Sequence, residues 1–436
     1  MKIPEILLVE SQHRPGSLAK VLTAIGECGV VVEHLNAIRR EQDQSIWEIT
    51  LELDPGQYET VRAAIDKLPN ARVLGHSDRV FERHAGGKIR MTSRASISSL
   101  QELRDVYTPG VARVCLAIQE DPALAWDYTA LPTTVAVITN GTAILGLGDI
   151  GPLAGLPVME GKAALFAKLA DLSGIPILID EKDPGTLIDI ITAIAPSFGA
   201  IQLEDIKAPE CFQVESTLRA RLKIPVLHDD QHGTAVVALA ALLSAGRMIG
   251  RDIRNSVVGQ IGLGAAGIGI VRLLMQYGVT HVLGADVNEG QLKMLENLGG
   301  KRATLAELMQ QCDVVIATTG RPGLIKPEMV RKGQMVFALS NPEAEIEPRI
   351  ALEQGAAFAA DGRGINNVLG FPGLFRGALD ARATEFSDAM LFAAAEAIAA
   401  CAPKGELVPD ALDRRVHDAV AAAVRRAAAP TGPGGL

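Results

Sequence analysis

The strongest constraint on the fold is a short glycine run set between two hydrophobic segments. Val257-Val258-Gly259-Gln260-Ile261 has the composition of a buried strand, and Gly262-Leu263-Gly264-Ala265-Ala266-Gly267 follows it directly and opens the helical segment GIGIVRLLMQYG. Glycines there allow a tight turn and close backbone approach. A pyrophosphate can then sit at the helix N-terminus, where free N–H groups and the helix dipole favour negative charge. A second strand, HVLGADV, ends near Asp286, 19 residues beyond the last glycine (286 − 267). A dinucleotide-binding fold carries at that place the acid that accepts hydrogen bonds from the adenosine ribose. Asp286 would repel a 2′-phosphate, so NAD is expected over NADP, with Asn288 and Lys293 keeping the preference modest. The cofactor-binding set read here is Gly262, Gly264, Ala265, Ala266, Gly267, Asp286 and Asn288.

A chain of 436 residues has room for several domains. With 48% apolar and 21% charged residues it has the balance of a folded globular protein, not of a disordered one. A net charge of −9 without any basic run, and only 4% aromatic residues, argue against a nucleic-acid partner. The longest uncharged stretch, Thr129 to Gly148, contains five threonines, Asn140 and Pro132, so it reads as two strands with a turn and not as a membrane helix. Glu5 and Glu10 interrupt any apolar core of signal-peptide length, and the mature chain is expected to begin near Met1. Five widely spaced cysteines suggest reduced thiols, no zinc ribbon and a cytoplasmic address.

Residues 1–80 alternate strand-like and helix-like runs in the order β-α-β-β-α-β, a ferredoxin-like unit, with turns at Arg14-Pro15-Gly16-Ser17 and Asp54-Pro55-Gly56 and Ser17 as an N-cap. Residues 81–94 read as a linker. From 95 to 245 apolar runs (TTVAVITN, IPILID, GAIQLEDI, IPVLHDD) alternate with helical segments, the pattern of a parallel α/β domain. The dinucleotide domain covers 246–400, and 401–436 read as a C-terminal helix and a disordered tail, APTGPGGL.

A second constellation is acidic. The strand GAIQL ends in Glu204-Asp205, and twenty-five residues later the strand IPVLH ends in Asp229-Asp230, with one helix between them. Such a unit is a right-handed crossover whose strand ends share one sheet edge, so four carboxylates converge. Like charges this close raise one another's pKa unless a cation neutralises them, and all-oxygen ligation suits Mg²⁺ or Mn²⁺. His228 and His232 offer too few nitrogens for zinc, and His232 is expected to cap the following helix. Lys162, after Gly161, is read at the start of a helix; the Walker spacing fails there, and Ala163 stands where a Ser or Thr is needed. A lysine at a positive helix end beside a metal ion has its pKa pushed down, toward use as a general base.

The N-terminal segment resembles an ACT domain, carried by HRPGSL from His13 to Leu18. The resemblance implies dimerisation and a small effector, such as an amino acid, as a partner. From Ile89 to Ala400 the chain resembles the bacterial malic enzymes, through YTPGVARVC from Tyr107, LGLGDIGPLAGLPVMEGKAALF from Leu145, LEDI at Leu203, HDDQHGTA at His228, ALSNP at Ala338 and NNVLGFPGLFRGALD from Asn366. That resemblance implies oxidative decarboxylation of malate to pyruvate and CO₂ with NAD and a divalent ion, by a homo-oligomer. Carried over by position, it places metal ligands on Glu204, Asp205 and Asp230, the general base on Lys162 and the general acid on Tyr107. Substrate or nicotinamide contacts fall on Asn341 and Asn367, with Asp229 on the substrate side.

Two departures stand out. Larger family members carry an arginine where Thr142-Ala143 stands, and the stretch before the paired asparagines is shortened to ADGRGINN, so Arg363 is a candidate for the missing positive charge. Competing expectations are an effector sensor whose enzyme-like body has lost activity, an amino-acid dehydrogenase, which needs no carboxylate-bound ion, and a dehydrogenase for a related 2-hydroxydicarboxylate.

Overall fold

The computed structural model of the chain describes residues 3–40, 43–54, 56–77, 79–144, 147–340 and 343–428. The chain forms two units, Met1–Lys88 and Ile89–Leu436. The first contains β1 (Ile3–Gln12), α1 (Ser17–Glu27), β2 (Val32–Arg40), β3 (Gln44–Leu53), α2 (Gln57–Asp66) and β4 (Ala71–His76). Its strands pair antiparallel in the order β2-β3-β1-β4, the ferredoxin-like arrangement expected. Alternate residues of the central strands, Leu7, Val9, Ile49 and Leu51, are buried together with Val21, Ile25, Val61 and Ile65 of the two helices. Ser17 does not cap α1 but begins it; the cap is Gly16, whose φ of 83° suits glycine. The expected linker begins as a helix, α3 (Arg79–His84), because Arg79 Nε lies 3.3 Å from the buried Glu48 and draws the segment onto this unit. Pro55 of the second expected turn lies outside the described residues.

The second unit opens with α4 (Leu100–Val106), α5 (Val111–Glu120) and α6 (Ala125–Tyr128). A capping box between Ser99 and Glu102 starts α4, yet none of these three helices buries a side chain. A parallel sheet follows in the order β6-β5-β7-β8, built from β5 (Thr134–Thr139), β6 (Ser173–Leu178), β7 (Ala200–Leu203) and β8 (Val226–His228). Its crossovers are α7 (Pro152–Ala170), α8 (Pro184–Ile194) and α9 (Glu210–Arg221). Among its described residues the stretch 129–148 yields one strand where two are expected. At Gly141 (φ 72°) the chain turns so tightly against Gly151 that a Cβ would stand 2.1 Å from the Gly151 carbonyl carbon, and strand geometry ends there.

Helix α10 (Thr234–Ile249) leads to a six-stranded parallel sheet ordered β11-β10-β9-β12-β13-β14. It contains β9 (Val257–Ile261), α11 (Ala265–Gln276), β10 (His281–Ala285), α12 (Glu289–Asn297), β11 (Lys301–Arg302), α13 (Leu305–Gln311), β12 (Val314–Ala317), β13 (Met335–Ala338), α14 (Pro348–Glu353) and β14 (Phe358–Asp361). Strand order reverses beside β9, so the crevice of this Rossmann-type sheet opens at the carboxyl ends of β9 and β12. With the turn before it, α10 is apolar over 21 residues, long enough to cross a membrane, but it is mostly buried in the core that joins the two sheets. The last helices are α15 (Phe371–Asp380), α16 (Asp388–Cys401) and α17 (Arg414–Ala427). The expected boundary at 400 marks no change of partner, since α17 packs on α15 and α16, with Gly373 and Gly377 admitting Val420 and Val424. The expected tail, 429–436, lies outside the described residues.

Candidate active site

The first sheet places the acidic residues. Strands β7 and β8 are parallel neighbours, and Glu204-Asp205 and Asp229-Asp230 leave their carboxyl ends together. Carboxylate oxygens of Glu204, Asp205 and Asp230 all lie within 4.8 Å of one another. Asp205 takes a left-handed backbone conformation, φ 52°, and its N–H donates to Asp230 Oδ2 at 3.1 Å, which joins the two strand ends. Asp229 is not one of that trio. It is fully buried, and its Oδ2 lies 2.5 Å from Lys162 Nζ; its Oδ1 has no hydrogen-bond partner among the described residues.

Lys162 lies in the middle of α7, not at its start, so the helix-end argument for a lowered pKa does not hold. Its Nζ is 3.1 Å from Glu204 Oε1 and 4.6 Å from the centre of the Phe371 ring. Burial opposes its charge, but Asp229 and then Glu204 outweigh burial and hold the ammonium far above the usual lysine range. The downward shift expected beside a metal ion contrasts with the upward one that these two carboxylates impose. Glu204 is pushed well above the usual carboxylate range, by burial first and then by Asp229, Asp230 and Asp205 against the pull of Lys162. One lysine does not balance four acidic side chains. The donor set is all oxygen and short of positive charge, which fits a hard divalent cation and not zinc.

Asn367 joins this group: its Nδ2 donates to Asp229 Oδ2 at 3.2 Å, and its Oδ1 accepts from Thr234 Oγ1 at 3.1 Å. Asn341 lies outside the described residues. Tyr107 ends α4 and is 68% exposed; no hydrogen bond among the described residues links it to Lys162. Arg363 is exposed, and its side chain and N–H both turn to Asp361. His232 does not cap α10. It is buried, and its Nε2 lies 2.9 Å from Glu215 Oε1, while Glu215 also accepts from the His228 N–H at 3.1 Å. That pair braces the π-helical turn Asp229–Gly233. Gln202, Glu215, Thr234 and Phe371 were not anticipated. Gln202, whose Nε2 donates to Glu204 at 2.6 Å, had one signal: a polar residue inside an otherwise apolar strand.

The second sheet forms the cofactor crevice. A cavity of about 540 Å³ is lined by Gly262, Gly264, Asp286, Thr318, Thr319 and Arg321, among others. Gly262 (φ 83°) passes so close to β12 that a Cβ would stand 2.7 Å from the Thr318 carbonyl oxygen. At Gly267 a Cβ would stand 2.0 Å from the Gly262 carbonyl oxygen, so this glycine lets α11 start against the turn. Ala265 and Ala266 form the first turn of α11. Asp286 accepts from Leu263 N–H at 2.6 Å and Asn288 N–H at 2.8 Å, so it sits over the turn and lines the same cavity. Asn288 does not line the cavity; it caps α12 through its own side chain.

Residues 87–185 match the malic enzyme N-terminal domain family, and residues 227–322 match the NAD-binding domain of D-isomer specific 2-hydroxyacid dehydrogenases. The chain is 53% identical to NAD-dependent malic enzyme 1 of Bacillus subtilis over 97% of each chain. It is 41% identical to the NAD-dependent malic enzyme of Geobacillus stearothermophilus over 95% of this chain and 92% of that one. Among solved structures it resembles the malic enzyme of Pyrococcus horikoshii, with 41% identity, a TM-score of 0.77 and coverage of 80% of this chain and 90% of that one. Acidic strand ends, a half-buried lysine and a Rossmann-type crevice in one unit, with relatives this similar, lead to one conclusion: the chain belongs to the malic enzyme family, oxidoreductases that decarboxylate malate.

Proposed function

We propose that this chain converts malate to pyruvate and CO₂ with NAD as the hydride acceptor and a divalent ion, Mg²⁺ or Mn²⁺, held by Glu204, Asp205 and Asp230. The observation that carries the proposal is the convergence of those three carboxylates beside a lysine that touches both Glu204 and Asp229. When bound, the ion supplies Lewis-acid polarisation of the substrate oxygen on C2. Lys162 takes the proton of the C2 hydroxyl. Asp229 and Glu204 both hold its ammonium, and a Glu204 that held the ion would leave Lys162 one carboxylate partner and a weaker hold on the proton. Asn367 orients Asp229, and through it Lys162. NAD is favoured over NADP by the carboxylate of Asp286 at the ribose end of the crevice.

Tyr107 is the acid that protonates C3 of the enolate left by loss of CO₂, which yields pyruvate. Its exposure, and the absence of buried side chains on α4 and α5, support assembly with a second copy that covers these helices. The first unit is proposed as an ACT-type effector module, on the strength of HRPGSL and its ferredoxin-like sheet. Five free cysteines suit a cytoplasmic address.

Malate-dependent NADH absorbance, with Mn²⁺ or with EDTA, tests the reading. Turnover that EDTA abolishes and Mn²⁺ restores is expected. Turnover that resists EDTA sinks the metal role, and no turnover under any condition favours a sensor. Tyr107→Phe should spare the reduction of oxaloacetate yet impair pyruvate formation; normal turnover removes Tyr107 from the mechanism.

A further inference from the structure

We propose that Glu345 is a positioning residue for the cofactor: it clamps the loop after β12 to the loop after β13, and so sets the cavity wall formed by Thr318, Thr319 and Arg321 before NAD arrives. The inference rests on reading that cavity as the NAD site.

Glu345 is fully buried, and among the described residues no lysine, arginine or histidine forms an ion pair with it. A carboxylate in that position is tolerable only if hydrogen-bond donors replace the water it has lost. They do. Its Oε1 accepts from Thr319 N–H at 2.7 Å, Thr319 Oγ1 at 2.8 Å and Ser340 Oγ at 2.5 Å, and its Oε2 accepts from Ser340 N–H at 3.4 Å. The same cluster takes the next two backbone donors. Gly320 N–H donates to Ser340 Oγ at 2.8 Å, and Arg321 N–H to Thr319 Oγ1 at 3.1 Å. Three successive N–H groups of the wall are thereby committed to Glu345 and its partners.

On the other side of the wall, Gln260 Nε2 donates to Thr318 Oγ1 at 2.9 Å and to the Gly262 carbonyl at 3.0 Å. The ends of β9, β12 and β13, which are neighbours in the sheet, are thus tied in series, and Glu345 is the outer tie. A glutamine fits the space but not the chemistry. Three donors converge on one oxygen, where an amide offers two lone pairs and no charge, and its NH₂ would face either those donors or the Ser340 N–H. A loosened wall weakens cofactor binding because the crevice must then be ordered at the moment of binding.

The test is NADH fluorescence titration of the full chain without malate or metal, followed by steady-state kinetics. Glu345→Gln should weaken NADH binding roughly tenfold, the loss typical of hydrogen bonds to a charged group. The KM for NAD should rise by a similar factor, while the KM for malate at saturating NAD stays close to the wild-type value. A purely structural role moves both KM values together. Should Glu345→Gln fail to fold, Ser340→Ala, which keeps the Thr319 bonds, decides the matter: a smaller rise confined to the cofactor is expected. A folded Glu345→Gln chain that binds NADH as tightly as wild type overturns the clamp, as does a Ser340→Ala chain with equal rises in both KM values. A wild-type chain that does not bind NADH overturns the cofactor reading itself, before any variant is made.

Discussion

The ammonium of Lys162 sits 2.5 Å from Asp229 Oδ2, which makes Asp229 the lysine's partner and not a fourth member of the acidic cluster. Sharing the lysine between Asp229 and Glu204 ties the proton-transfer group to the ion-binding group. Lys162→Ala should lower malate turnover by about a hundred- to ten-thousandfold, the usual worth of general acid–base catalysis. It should also destabilise the ion-free chain by about 3–5 kcal/mol, because Asp229 would be left buried without its counter-charge, with only the Asn367 hydrogen bond on Oδ2. Thermal melts separate the two effects: Mn²⁺ should recover part of the stability of the variant but not its turnover.

Asp286 is expected to act on the cofactor in two ways. Its carboxylate disfavours a 2′-phosphate, and it holds the Leu263 N–H of the glycine turn at 2.6 Å. Wild type should use NAD more efficiently than NADP, and Asp286→Ala should narrow that ratio while raising the KM for NAD about tenfold. A wild-type preference for NADP of tenfold or more contradicts this role.

Glu215 gives the chain an acid-sensitive brace. Burial raises its pKa, but the charge and hydrogen bond of His232, with help from His228, bring it down to about 2. A carboxyl with a depressed folded pKa contributes stability above its unfolded value of about 4.3, and that stability is lost as pH falls toward the folded value. Urea melts between pH 5 and 2.5 should therefore show wild type losing about 2 kcal/mol more than Glu215→Gln. Parallel pH profiles would remove Glu215 from the acid limb.

Thiol chemistry should follow burial. Cys211 and Cys312 are buried, and burial pushes both thiols up to about 12. Iodoacetamide at pH 8 should leave both unmodified in the native chain and alkylate them once urea is added, as peptide mass spectrometry would record. Native labelling of either cysteine would mean that its part of the core opens readily.

Local pattern carried much of this. The glycine turn, the acid after β10 and the paired strand-end carboxylates depend on residues close in sequence or on one crossover, and the geometry of a parallel β-α-β unit leaves them one edge to share. Errors arose where a residue's environment comes from far away in the chain. Lys162 looked like a helix start because its helix continues through Pro157 and Gly161. Its charge state depends on Asp229, sixty-seven residues on. His232 looked like a cap because its partner, Glu215, lies one helix back.

What the amino-acid order determined by itself is the class of chemistry: a nucleotide crevice at one sheet edge and an oxyanionic cage at another, each written in short-range spacing. Tertiary structure decided the division of labour among the acids, which three face a common point and which one pairs with the lysine. It also decided which loops are braced, by Glu215 at the cage and by Glu345 at the crevice. The reason is physical. Spacing along a strand and helix fixes where a side chain starts, but a buried charge takes its state from whatever donors and charges the whole fold packs around it.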